Sequence, residues 1–302
     1  MAKDKSKIRE SAGDRVLEVF TTILLALVVF IIGYPLIVIV SSSFSSSSAL
    51  SSGKVLLWPV DFTFAGYKFV FQYKRVWIGY RNSIFYTITG VCLTMFMQIM
   101  MAYPLSKRDY QGKGVILKLL LVAMMTGAGL IPTFLLKMKL GLINNVWAVI
   151  LAGLVGIRNV FMLRNAFKNS IPGELFDAAK IDGANDFQCL VKLGIPLAKA
   201  TISVLVLYSA VGCWNDYFNA MIYLTSRQDL WPLQLVLRNI LTASQSISTE
   251  GMSTTVQQAM QDSGIEQIRY CLIIIATVPV LVLYTIVQKY FEKGVMIGSV
   301  KG

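Results

Sequence analysis

Apolar residues run through this chain in long blocks, not in the alternating or one-sided patterns of a soluble domain. A membrane helix needs about 20 mostly apolar residues to cross about 30 Å of hydrocarbon. Six stretches meet or approach that length. The first, about Leu17 to Val40, is uncharged from Val19 onward and follows the basic residues Lys3, Lys5, Lys7, Arg9 and Arg15. The second runs from about Ser83 to Leu105 and the third from about Val115 to Leu136, with Pro132 near its far end. The fourth, about Val146 to Leu163, is short and carries Arg158. The fifth runs from about Leu197 to Leu224 and the sixth from about Tyr270 to Val287. Pro279 lies inside the last one, where a bilayer helix tolerates a kink. The pattern predicts an all-α membrane protein with six transmembrane helices.

Composition agrees. Of 302 residues, 55% are hydrophobic and only 15% charged, too little polar residue to cover a soluble fold of this size. The net charge of +12 would suit nucleic acid, but in a membrane protein Lys and Arg gather in cytoplasmic loops and set orientation. Lys107, Arg108 and Lys113 fall between the second and third stretches. Arg164, Lys168, Lys180 and Lys192 lie between the fourth and fifth, and Lys289, Lys293 and Lys301 follow the sixth. Six crossings with these segments inside put both termini in the cytoplasm of a multi-pass cytoplasmic-membrane protein, with lipid as a partner and nucleic acid excluded. Lys54, Lys68, Lys74, Arg75 and Arg81 on the outer side weaken the asymmetry without reversing it. The expected organisation is a cytoplasmic segment 1–16, a membrane domain 17–291 and a cytoplasmic tail 292–302. Outer loops are expected at about 41–82 and 225–267. The serine-dominated run Ser41 to Gly53 reads as a flexible connector. The polar second outer loop is long for a turn and suits contact with an external protein.

Several chemistries are excluded or disfavoured. Histidine is absent, and Cys92, Cys189, Cys213 and Cys271 show no metal-ligand spacing, so zinc, haem and His-based acid–base catalysis lose their usual groups. No GxxxxGK[ST], HExxH or GxSxG occurs. The chain is expected to be no enzyme and to bind no cofactor itself. An ion-coupled secondary transporter is the rival reading, but Asp216 is the only acidic residue well inside a predicted span and no internal repeat is evident.

The most informative segment is the cytoplasmic loop of about 164–196, which reads IPGELFDAAKIDGANDFQCLVKLGIPL from Ile171 to Leu197. Pro172 suits a first helical turn, and Glu174 and Asp177 complement the positive end of a helix dipole. Leu175, Ala178, Ala179 and Ile181 form an apolar stripe. Gly183 ends or turns the helix, and a second helical piece runs on towards Pro196. The prediction is a compact two-helix knob whose small residues, Ala178, Ala179, Gly183 and Ala184, admit another backbone. By itself this also describes a hairpin packed on its own bundle.

The same stretch closely resembles the EAA loop of permease subunits of bacterial ABC importers: E-A-A, three residues, G, nine residues, then I-x-L-P. Here Asp177-Ala178-Ala179, Gly183 and Leu193-Gly194-Ile195-Pro196 keep every spacing, with Asp177 replacing the usual glutamate. The IPGEL and AAKIDGA text resembles the carbohydrate-uptake, maltose-type branch. So do the ending Phe291 to Gly302 and the run Trp214-Asn215-Asp216-Tyr217-Phe218. Within that branch the chain looks most like the LplC-like group associated with oligosaccharides and polysaccharides. The resemblance covers nearly the whole chain and implies a type I ABC importer fold. It implies a second homologous permease subunit, two ATP-binding subunits that hold ATP and magnesium, and an extracytoplasmic solute-binding protein. Glu174, Asp177, Ala178, Ala179, Asp182, Gly183 and Ala184 would form the coupling helix on an ATPase. The tail Gly298, Ser299, Val300, Lys301 and Gly302 would reach between the ATPases.

For the substrate path, polar groups within spans face the bundle interior or water, or tie helices together. Candidates are Asn82, Gln98, Arg158, Asn215 and Asp216, joined by the aromatics Trp214, Tyr217 and Phe218 as sugar platforms.

Overall fold

A computed structural model describes residues 12–171, 173–243 and 264–299. Among these there is no β-strand. In chain order the helices are α1 (Ala12–Ser43), α2 (Ser47–Ser51), α3 (Ala65–Gln72), α4 (Lys74–Ser106), α5 (Lys113–Met125), α6 (Leu130–Lys139), α7 (Val146–Ile150) and α8 (Ile157–Ser170). They continue with α9 (Gly173–Ile181), α10 (Asp186–Cys189), α11 (Ile195–Leu197), α12 (Lys199–Trp214), α13 (Phe218–Tyr223), α14 (Leu233–Ala243) and α15 (Ile265–Ser299).

Three helices are long and apolar enough to cross a membrane unbroken: Gly13–Ser43, Lys74–Ser106 and Glu266–Gln288. Two bent pairs, Lys113–Met125 with Leu130–Lys139 at 110° and Asp186–Leu197 with Lys199–Trp214 at 80°, raise the count to five at most by length and composition. The expected six therefore do not all appear as continuous helices. The stretch expected as the fourth span is divided between α7 and α8, with Gly153 between them in the left-handed region at φ +74°. The third is broken at Thr126–Gly129, where Gly129 sits at φ +77°. Glycine is the residue that reaches this backbone without a Cβ clash. The prolines Pro35, Pro104 and Pro279 lie inside helices without ending them.

The described residues fall into two compact units, one drawn from the chain up to Gln72 with Gly264–Ile274, the other from Tyr73–Ala243 with Ile275–Ser299. In the first unit the serine run is not a loose connector. Ser41, Ser42, Ser43 and Ser45 are buried. Ser41 Oγ donates to Leu57 O (2.5 Å), Ser45 Oγ to Ser41 O (2.7 Å), and Ser45 Oγ accepts from Val60 N (3.1 Å). Ser46 caps α2 by accepting from Ala49 N. Buried Gln267 donates to Ser43 O and Thr63 O and accepts from Gly66 N, closing the unit. Hydropathy could not register this, because serine orders the chain here through hydroxyl–backbone bonds.

In the second unit α4 is the central post, packed against α8, α12 and α14. Small residues set the closest approaches. A Cβ on Gly90 would lie 3.0 Å from Cys213 Sγ of α12, and one on Gly79 would lie 3.1 Å from Leu233 Cα of α14. Near the C-terminal end of α4, Ala102, Tyr103 and Leu105 form a core with Val160, Leu163, Phe167, Cys189 and Leu190. Towards its N-terminal half, Tyr86 joins Val149, Ile150, Ala220, Leu224 and Leu235.

Candidate functional site

The loop carrying the spaced motif folds as a helical elbow. Helix α9 opens with Glu174 in its first turn; Pro172 lies outside the described residues. It closes in a Schellman motif, with Ala184 N donating to Ala179 O (2.9 Å) and Gly183 N to Lys180 O (3.0 Å). Gly183 stands at φ +79°. A Cβ built on it meets nothing within 4 Å of this chain. Glycine is thus required there by the turn, and the close packing expected at Gly183 does not occur within the chain. The next helix starts at once. Asn185 Oδ1 accepts from Gln188 N while Gln188 Oε1 accepts from Asn185 N, a capping box. A π-helical segment, Leu190–Gly194, then leads through α11 into α12.

The elbow is fastened to the C-terminal end of α4. Phe176 lies 6.2 Å from the Tyr103 ring, which meets Phe167 edge-on at 5.8 Å. Lys107 Nζ sits 4.7 Å over Tyr103 and 2.5 Å from Asp186 Oδ1. That hydrogen bond holds the Asp186 carboxyl below its ordinary range. Beside it, Arg164 of α8 donates from Nε to Leu105 O (2.9 Å), satisfying a carbonyl in the last turn of α4. The elbow thus meets the end of a long helix through ring packing and the Lys107–Asp186 pair.

Of the seven residues expected to couple, Glu174, Asp177, Ala178, Asp182 and Gly183 are exposed, whereas Ala179 and Ala184 are half-buried against the core. The outward surface holds two groups that were not among those seven. Ile181 is 87% exposed and Phe187 66% exposed. Ile181 stands in the predicted stripe but points away from the bundle, and the signal for both is an apolar side chain in a loop of polar neighbours. In the tail, Gly298 and Ser299 end α15, and Val300, Lys301 and Gly302 lie outside the described residues.

The candidate path residues separate into two groups. Gln98, Arg158 and Asp216 line one crevice of about 550 Å³ in the second unit, together with Tyr86, Asn159 and Tyr208. Trp214 does not line it: its ring is buried, Nε1 donates to Ala276 O (3.0 Å), and Tyr80 meets it edge-on at 5.5 Å. It ties α12 to α15. Asn82 spends its amide on the loop between α13 and α14, donating to Asp229 O (2.8 Å) and Trp231 O (3.1 Å). Asn215 Oδ1 accepts from Gln234 Nε2 (2.9 Å). Tyr217 lies under the Arg238 guanidinium at 5.0 Å, and Phe218 is exposed. One charged group went unnoticed in the sequence: Lys137 is buried, donates to Ala148 O (2.7 Å) and sits 3.8 Å over the Tyr223 ring. Two partners satisfy it where charge is expensive.

Long apolar helices, broken spans lining a polar crevice and a helical elbow at one helix end describe an integral membrane protein. Residues 6–297 match the family described as binding-protein-dependent transport system inner membrane component, and the chain belongs to that family. Similar proteins include Protein LplC of Bacillus subtilis (strain 168), 36% identical over 98% of both chains. The polygalacturonan/rhamnogalacturonan transport system permease protein YtcP of the same organism is 36% identical over 89% of this chain and 92% of its own length. The fold matches a crystal structure of a bacterial ABC transporter involved in the import of the acidic polysaccharide alginate. The TM-score is 0.84 at 34% identity, covering 93% of this chain and 99% of that one. The chain is a permease subunit of an ABC import system with a type I importer fold.

Proposed function

We propose that this permease conducts an oligosaccharide into the bacterial cytoplasm, and that its elbow, α9 to α11, is the seat of an ATPase subunit. The carbohydrate assignment is supported by YtcP, whose name specifies polygalacturonan and rhamnogalacturonan, and by the alginate importer. The docking assignment is carried by one observation. Two large apolar side chains, Ile181 and Phe187, are exposed on an elbow that is held to α4 by Tyr103, Phe176 and the Lys107–Asp186 pair. An apolar patch outside the bilayer marks a protein interface, and a rigid mount is what transmits motion between two states.

In this reading both termini and the elbow are cytoplasmic. A second permease completes the path, two ATPases bind ATP and magnesium, and a solute-binding protein delivers cargo near the outer loop that Asn82, Ser83 and Tyr86 hold in place. Glu174, Asp177 and Asp182 offer carboxylates to basic groups of the ATPase, and the tail from Gly298 to Gly302 reaches between the two ATPases. ATPase closure moves the elbow, and α4 carries that motion to the crevice.

The test is uptake by the complete complex in proteoliposomes. Oligosaccharide import should require ATP inside and persist when ion gradients are collapsed. Import that stops with the gradient while ATP remains plentiful would instead establish an ion-coupled carrier.

A further inference from the structure

The segment joining α2 to α3 leaves an aromatic surface open. Trp58 is 81% exposed and Phe62 61%, and Leu56 and Phe64 near them in sequence are exposed as well. Phe62 and Phe64 meet edge-on at 5.0 Å and Phe44 stacks on Phe62 at 5.5 Å, so these rings form one patch. Between Phe44 and Gln72 the chain carries only three charged groups, Lys54, Asp61 and Lys68. Apolar surface of this kind marks contact with a membrane or another protein. The backbone behind it is tied down. Ser41 Oγ donates to Leu57 O (2.5 Å), Val60 N to Ser45 Oγ (3.1 Å), Ser46 N to Val60 O (3.2 Å) and Thr63 N to Phe44 O (2.9 Å). Asp61 takes the left-handed region at φ +52° and accepts from Ser46 Oγ (3.4 Å). A residue with a Cβ stays in that region only where its surroundings hold it there.

Helix α1 sets the level of this patch in the bilayer. The uncharged run from Val19 to Val40 has 22 residues. At the helical rise it spans about 33 Å, close to the thickness of the hydrocarbon layer. Ser41, Phe44 and Ser45, which hold the segment, follow directly, so they stand where the chain passes from hydrocarbon into headgroups. Ile37 and Val40, in the last turns of α1, are exposed, and the patch continues that apolar surface. Aromatic rings bordered by few charges suit the headgroup layer, which is neither dry nor fully aqueous. A soluble partner would reach the patch only by displacing headgroups, whereas lipid is already at that level. We propose that the segment from Leu56 to Phe64 is a membrane-interface anchor, whose rings enter the headgroup layer beside the end of α1 and fix the depth of that helix. Anchors of this kind set how a span sits when its length matches the bilayer. The proposal goes beyond the permease reading and holds whatever the cargo.

The test uses the complete complex in nanodiscs of phosphatidylethanolamine and phosphatidylglycerol. With the native cysteines replaced, Trp58→Cys or Phe62→Cys carries a bimane fluorophore. Nitroxides on the lipid headgroup or deep in the acyl chain, and iodide in the water, serve as quenchers. The headgroup nitroxide should quench both positions more strongly than the deep one, and iodide should quench them about threefold less than free bimane-cysteine. A bimane on Ile37→Cys reads the depth of α1. Trp58→Asp, which draws the segment into water, should move that label towards the headgroup quencher, and Trp58→Tyr, which keeps an interfacial ring, should leave it in place. Free access of iodide to positions 58 and 62 without quenching by lipid would overturn the proposal. So would shielding from both quenchers, or iodide access lost only when the solute-binding protein is added, since either puts a protein surface on the patch. A label at position 37 that keeps its depth in Trp58→Asp would refute the anchoring role.

Discussion

Ile181 separates docking from folding more sharply than any other side chain on the elbow. Truncation to Ala removes an apolar group that the chain itself scarcely uses, because the residue is 87% exposed. Fully burying an isoleucine side chain is worth about 1.5–3 kcal/mol. Nearly all of that remains available to a partner that covers it. Ile181→Ala should therefore weaken the ATPase–permease association by about 2 kcal/mol, roughly 30-fold. Stability of the permease itself should change by less than about 0.5 kcal/mol, as for ordinary surface substitutions. Ile181→Asp should be more severe at the interface and equally mild for folding. The assay is titration of the purified ATPase against the permease heterodimer in nanodiscs, with thermal unfolding run in parallel. Unchanged affinity would refute the reasoning, as would a fall in melting temperature large enough to account for the loss. Phe187, 66% exposed, should behave the same way.

Three further outcomes follow from the geometry. Gly183→Val should cost the elbow about 1–2 kcal/mol through its φ of +79° and uncouple ATP hydrolysis from uptake. Gly183→Asn, which tolerates that backbone, should stay close to wild type in the same coupling ratio. Gly79→Ala should lower the melting temperature by an amount equivalent to about 1–3 kcal/mol, because its Cβ would press on the Leu233 backbone at 3.1 Å. Gly114→Ala, which meets nothing within 4 Å, should be neutral or stabilising. The Asp186 carboxyl is held below its ordinary value by Lys107. Its folded pKa being depressed, the pair's contribution is present above the unfolded carboxylate value and is lost as pH falls through the lower folded one. Asp186→Asn should therefore reduce stability slightly at neutral pH, by under about 1 kcal/mol for so exposed a pair. The difference from wild type should vanish in acid below the carboxylate range.

What the sequence disclosed depended on the kind of interaction involved. Helix α1 was legible because a run of apolar residues has one meaning at that length. The elbow was legible because its turn uses strong local signals, Glu174 in the first turn of α9 and Gly183 at the left-handed position. The order of the serine run was hidden, since its bonds to Leu57, Val60 and Gln267 depend on residues brought together only by folding. Breaks within spans were half visible. Gly129 and Gly153 mark them, but glycine is frequent in membrane helices and most do not bend at it. For the crevice, residue type alone placed Gln98 and Trp214 on equal footing. Only the packing shows one unpaired in a cavity and the other bonded to Ala276.

The most direct test joins position to partner. With the four native cysteines replaced, a single cysteine at position 181 or 187 is cross-linked in intact membranes. The account predicts a product containing the ATPase subunit, with a yield that changes when ATP is bound, and protection from a membrane-impermeant thiol reagent applied outside the cell. Labelling from outside, with no cross-link to an ATPase in any nucleotide state, would contradict it.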